Sequence, residues 1–126
     1  MKNFRDLQIW DRAHQLTLEV YRLTRGFPKS ETYGLVSQMR RSVLSIPTNI
    51  AEGSGRNTEK DFARFLDNAM GSASELEYQL ILARDLEYIS HDTYELQNRE
   101  LIEIKRMLNA FLQKLRTSTT PLKANC

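Results

Sequence analysis

Cysteine is almost missing from this chain. Its 126 residues hold one, Cys126, at the last position, so no internal disulfide can form. That suits a reducing compartment. No apolar run approaches the roughly 20 residues that a membrane span needs. The opening MKNFRDLQIW has no apolar core of a signal peptide, so the expected compartment is the cytoplasm. Histidine is scarce too. His14 and His91 stand far apart, with no HExxH or Cys/His spacing near either, which argues against a metal site. No Glu-x-x-His pair suggests a di-iron bundle, and no G-x-S-x-G elbow suggests a serine nucleophile. Alternating β-branched runs and Asn-Gly turns are absent, so nothing argues for strands.

What is present is helical periodicity. A first helix is expected over about 5–25, with Ile9, Trp10, Ala13, Leu16, Val20 and Leu23 as its apolar stripe. Gly26 and Pro28 end it. A second spans 31–52, with Ser30 as its N-cap and Val36, Met39, Val43, Ile46 and Ile50 on one side. Pro47 either kinks or breaks this helix; the apolar register kept by Ile46 and Ile50 favours a kink. A third runs over 58–88, capped by Thr58 with Asp61 at the capping-box distance. Its apolar residues, Phe62, Leu66, Ala69, Ala73, Leu76, Leu80 and Ala83, alternate spacings of four and three. Phe65, Tyr78, Ile81 and Leu82 lie off that line, which hints at a second buried side and a subunit interface. A fourth covers 92–116, capped by Ser90 or Asp92, with Leu101, Ile104, Leu108, Phe111 and Leu115 inward. Residues 117–126 read as a flexible polar tail. The expected architecture is all-α: one domain over 1–116, an antiparallel up-down-up-down four-helix bundle.

Charge is uneven although the net is +2. Residues 1–57 carry nine basic against five acidic side chains, 58–90 three against seven, and 91–126 six against four. Such a split fits solvated helix faces, self-complementary association or a basic face for an anionic polymer.

The second helix carries another line besides its apolar one. Gln38, Arg41, Ser45, Asn49 and Glu52 recur at spacings of three and four, with donors, acceptors and both signs of charge. We read these, with Glu75, as a polar structural network satisfied within the bundle or by adjacent subunits. Glu52 and Glu75 as an acid/base pair is the weaker alternative. Arg41 shares this stripe and is expected to be locked in it; Arg40 falls nearer solvent and is freer to meet phosphate. Gly53, Gly55 and Arg56 lie in a Gly-Ser-Gly-Arg stretch before the third helix. It is either a tight interhelical turn or an anion site made of flexible N–H groups and an arginine, without the spacing of a P-loop.

Several segments together resemble a known family: FRDLQIW (4–10), FPKSE (27–31), the Leu35, Gln38, Arg41 spacing, SIPTNIAEGSGR (45–56), FARFLDNAMGSASEL (62–76) and LEYI (86–89). The chain is similar to the four-helix-bundle proteins encoded in intervening sequences of bacterial 23S rRNA genes. That resemblance implies a left-handed antiparallel bundle that assembles into a ring, typically a homopentamer. It also implies similarity to the accessory proteins of diversity-generating retroelements, which bind a reverse transcriptase and nucleic acid. The family positions carried over are Gln38, Arg41, Ser45, Asn49, Glu52, Arg56 and Glu75, with no role assigned to any. No enzymatic activity and no cofactor are implied, and RNA or DNA and the chain itself are the expected partners.

Overall fold

A computed structural model describes residues 3–124, with side chains through Thr117. Four helices follow one another: α1 (Gln8–Thr24), α2 (Leu35–Ser54), α3 (Glu59–Asp85) and α4 (His91–Ala124). Short 3-10 turns occupy Phe4–Asp6 and Lys29–Glu31, and the described residues contain no strand. Successive helices are antiparallel. Arg40, early in α2, reaches Thr24 at the end of α1. Gly53, late in α2, lies against Phe62 and Phe65 at the start of α3. Asp67, early in α3, pairs with Arg116 late in α4. Arg12 of α1 closes the bundle onto α4 through Glu100, with two hydrogen bonds of 2.7 and 3.0 Å.

The apolar stripes meet in one core. Ala13, Val20, Met39, Val43, Ile46, Ile50, Leu66, Ala69, Ala73, Leu76, Leu80, Ala83, Leu101, Ile104 and Leu108 are wholly shielded from solvent. Trp10 is only half-buried. It stacks on His14, with ring centroids 5.1 Å apart, and meets the edge of Phe4. On α4 the inward position expected of Phe111 is taken more fully by Leu112; Phe111 is half-buried against Phe62.

Helix ends differ from the sequence reading in ways that have local causes. Ser30 does not cap α2. The Glu31 carboxylate does, accepting the Leu35 N–H at 3.0 Å. It passes so close over Gly34 that a Cβ there would sit 2.7 Å from its oxygen. The same carboxylate accepts the Tyr88 hydroxyl at 2.9 Å, tying the α1–α2 and α3–α4 connections together. Both bonds hold the Glu31 carboxyl below the usual range, the Leu35 N–H being the larger cause, and the bond to Glu31 raises the Tyr88 phenol.

Thr58 caps α3 as expected, its hydroxyl accepting the Asp61 N–H. α3 stops at Asp85, short of 88, because Glu87 takes a left-handed conformation (φ 64) and the Tyr88 N–H turns back to the Ala83 carbonyl. That closure is usually made by glycine. Ser90 caps α4 through the Thr93 N–H. The α4 backbone continues past 116, through Pro121 to Ala124. No glycine between Asn109 and Ala124 ends it. Cys126 lies outside the described residues.

α2 runs through Pro47 without a break. Proline has no N–H for the carbonyl four residues back, here Val43. Thr17 of α1 fills the gap: its hydroxyl lies 2.8 Å from the Ala13 carbonyl and 3.2 Å from that of Val43, sharing one proton between them. Thr48 and Asn49 donate to the neighbouring carbonyls of Leu44 and Ser45, each at 2.8 Å.

Candidate interaction surface on α2 and α3

The polar stripe of α2 divides into an inner and an outer set. Ser45 and Asn49 are half-buried and bonded. Asn49 Nδ2 donates to the Ser45 carbonyl and, at 2.9 Å, to Ser45 Oγ. Ser72 of α3 donates to the same Oγ at 2.8 Å. This three-residue chain fixes α2 against α3 at mid-height. Small side chains make it possible, because a hydroxyl pair at that distance needs close helices.

Gln38, Arg41, Glu52 and Glu75 form the outer set, and all four face solvent. Glu52 makes a loose pair with Arg56 at 3.9 Å. Gln38, Arg41 and Glu75 have no side-chain hydrogen bond or ion pair among the described residues. Ser45 opposite Ser72 sets the antiparallel register. One turn from it, toward the start of α2, Arg41 comes level with Glu75; one turn further, Gln38 comes level with Gln79. Gln79 is 8% exposed, and its Oε1 finds no donor among the described residues. A buried acceptor left unbonded costs about 1–3 kcal/mol, so it marks a place where the single chain leaves a bond unmade. Small residues over 69–74, Ser72 among them, are what the sequence offers for a close neighbour; the Ser72 bond and the buried Gln79 are what the fold adds. Phe65, Ser72 and Gln79 recur every seven residues along one edge of the apolar stripe, and that spacing is the signal for them.

The two neighbouring arginines exchange their expected places. Arg40 is half-buried: Nε donates to Thr24 Oγ1 at 2.9 Å, a terminal nitrogen to the Tyr21 carbonyl at 3.2 Å, and the guanidinium lies 4.8 Å from the Tyr21 ring centre. It points toward α1, the helix whose Thr17 also reaches the Val43 carbonyl one turn further along α2. Arg41, one residue and about 100° further round, is the exposed one. The Gly-Ser-Gly-Arg stretch is corrected as well. Gly53 and Ser54 are the last, buried turn of α2, and only Gly55 and Arg56 enter the connection. Gly53 is there for contact: a Cβ would come within 2.8 Å of both Phe62 and Phe65. No N–H cradle for an anion forms around it, since the helix already holds its backbone. Arg56 lies 4.6 Å from the Phe65 ring centre, and Arg64 lies 4.7 Å from the same point.

Of the residues set off the third helix's main stripe, Phe65 is buried between α2 and α3, Ile81 and Leu82 are half-buried, and Tyr78 is exposed. Among the described residues no cluster of three or more His, Cys, Asp or Glu side chains could hold a metal ion. No helix there is long and apolar enough to cross a membrane.

Comparison with known proteins agrees with this architecture. A crystal structure from Bacteroides thetaiotaomicron VPI-5482, a protein of unknown function from the S23 ribosomal protein family, superposes with a TM-score of 0.75. The two are 27% identical, over 82% of this chain and 97% of that one. No curated protein matches the sequence. The family model described as 23S rRNA-intervening sequence protein matches residues 5–110, from the first 3-10 turn to past the middle of α4, and the chain belongs to that family.

Proposed function

We propose that this chain is a non-enzymatic scaffold that works as a homo-oligomer, with the α2–α3 face as the surface between copies. The observation that carries it is the pairing of unsatisfied groups there: exposed, unpartnered Arg41 and Glu75, of opposite sign and level with each other, beside the buried, unbonded Oε1 of Gln79. In a ring each copy meets the next through two different surfaces, so the neighbour brings a donor and complementary charges from another face of its own. A ring of five is the proposed form, following the resemblance, and an accessory role beside RNA or a protein such as a reverse transcriptase is the proposed use. Light scattering after size exclusion tests it. We expect a multimer, weakened in Arg41→Glu and in Glu75→Arg. A wild-type monomer at micromolar concentration removes the reading.

Nucleic acid as the cargo keeps Arg56 as a candidate contact, since its guanidinium is exposed and only loosely paired with Glu52. Weakly sequence-selective, salt-sensitive binding is expected. An affinity unchanged in Arg56→Ala strikes that residue from it.

A further inference from the structure

The connection between α1 and α2 presents an aromatic ring that the fold does not use. Tyr33 is 96% exposed, the most exposed large apolar side chain described. It is carried on a braced segment. Phe27, in the same connection, is buried, its ring 5.2 Å from that of Tyr88. Backbone bonds from Glu31 to Pro28, Thr32 to Lys29 and Gly34 to Glu31 close successive turns. Glu31 adds the tie to Leu35 and Tyr88 described above. A bare ring on a preorganised support loses little freedom when something stacks on it.

The charges of the same connection point to what stacks. Arg25 and Lys29 are exposed, with no side-chain partner among the described residues. The one acid in the same connection, Glu31, is already occupied by an N–H and a hydroxyl. An exposed aromatic ring and free cations carried on one short connection are the elements that hold a single strand, base on ring and phosphate on cation. Glu87 and Asp92 are exposed on the neighbouring connection, so this end is not a general sink for polyanions. Affinity there depends on the ring.

We propose that the α1–α2 connection binds single-stranded nucleic acid, with Tyr33 stacking a base and Lys29 and Arg25 taking phosphates. The site is independent of the surface assigned to assembly. The test is fluorescence anisotropy of labelled 12-mer oligo(rU) and oligo(dT) at low salt, with inorganic polyphosphate as a probe that has phosphates and no bases. Tyr33→Ala weakens the oligonucleotide by about fivefold or more, the range of one lost base–aromatic stack, and leaves polyphosphate unchanged. Tyr33→Trp restores binding. Lys29→Ala lowers the salt slope by about 0.7, one phosphate contact. Tighter binding of oligo(rU) than oligo(dT) names RNA as the source, and the reverse names DNA. The proposal is overturned if the wild type binds neither oligonucleotide, if Tyr33→Ala binds as well as wild type, or if it loses polyphosphate equally. A change in assembly mass in Tyr33→Ala overturns it too, since the ring then belongs to a second copy. Because Tyr33 is almost wholly in solvent, its variants keep the circular dichroism and melting temperature of the parent.

Discussion

The hydroxyl of Thr17 on α1 stands 3.2 Å from the Val43 carbonyl on α2, the one carbonyl that Pro47 deprives of its helical partner. A proline that costs about 3 kcal/mol in a free helix is thereby made compatible with an unbroken one. Thr17→Val keeps the shape and removes the donor, so it costs about 1–2 kcal/mol in urea unfolding. In a Pro47→Ala background an N–H returns to Val43, and the cost of Thr17→Val shrinks to a few tenths of a kcal/mol, by about the measure of the lost need. Equal costs in both backgrounds mean that Thr17 serves only Ala13.

Gly53 and Gly71 separate contact from permissiveness. Gly53→Ala forces a methyl into Phe62 and Phe65 and destabilises by about 1–3 kcal/mol. Gly71 is mid-helix with nothing within 4 Å of its Cβ position, so Gly71→Ala stabilises by about 0.5–1 kcal/mol. Thermal melts of the two variants shift in opposite directions.

Arg40 is expected to be a stability residue. Removing its bonds to Thr24 and Tyr21 in Arg40→Ala costs about 1–2 kcal/mol, read by denaturant midpoint. Affinity for an oligonucleotide stays within error of wild type. A large loss of affinity with an unchanged midpoint reverses the assignment.

Glu31 gives acid sensitivity with a definite sign. Its folded pKa is lowered, so the stability it contributes is full above the unfolded value, about 4.3, and is lost as pH falls through the folded value. Tyr88 runs the other way: its phenol is raised, so its share is full below about 10 and is lost as pH rises past that. Melting temperatures drop less steeply from pH 7 down to pH 3 in Glu31→Gln than in wild type. Parallel curves show that other carboxylates set the acid limb.

Much of this protein was legible in one dimension. The spacing of Met39, Val43, Ile46 and Ile50, or of Leu66, Ala69, Ala73 and Leu76, already states which side of each helix is dry, because helical periodicity follows from backbone geometry alone. Four such stripes with short connections leave few ways to bury them, and the bundle follows. Thr58 as a cap, and Ser90 as one of two candidates beside Asp92, were readable for the same reason, since a cap acts within three residues.

What only the tertiary structure decided depends on which neighbour each helix meets. Arg40 and Arg41 differ by one residue, and no local rule says which turns toward α1. Gly53 looked like loop until Phe62 and Phe65 were placed against it. Val43 looked stranded by Pro47 until Thr17, 26 positions earlier, came alongside. Gln79 looked like one more polar side chain on α3 until α2 closed over it and left its oxygen without a donor. Periodicity specifies a face; partners across a groove are set by the rotation and register of two helices, which no stretch of either one contains.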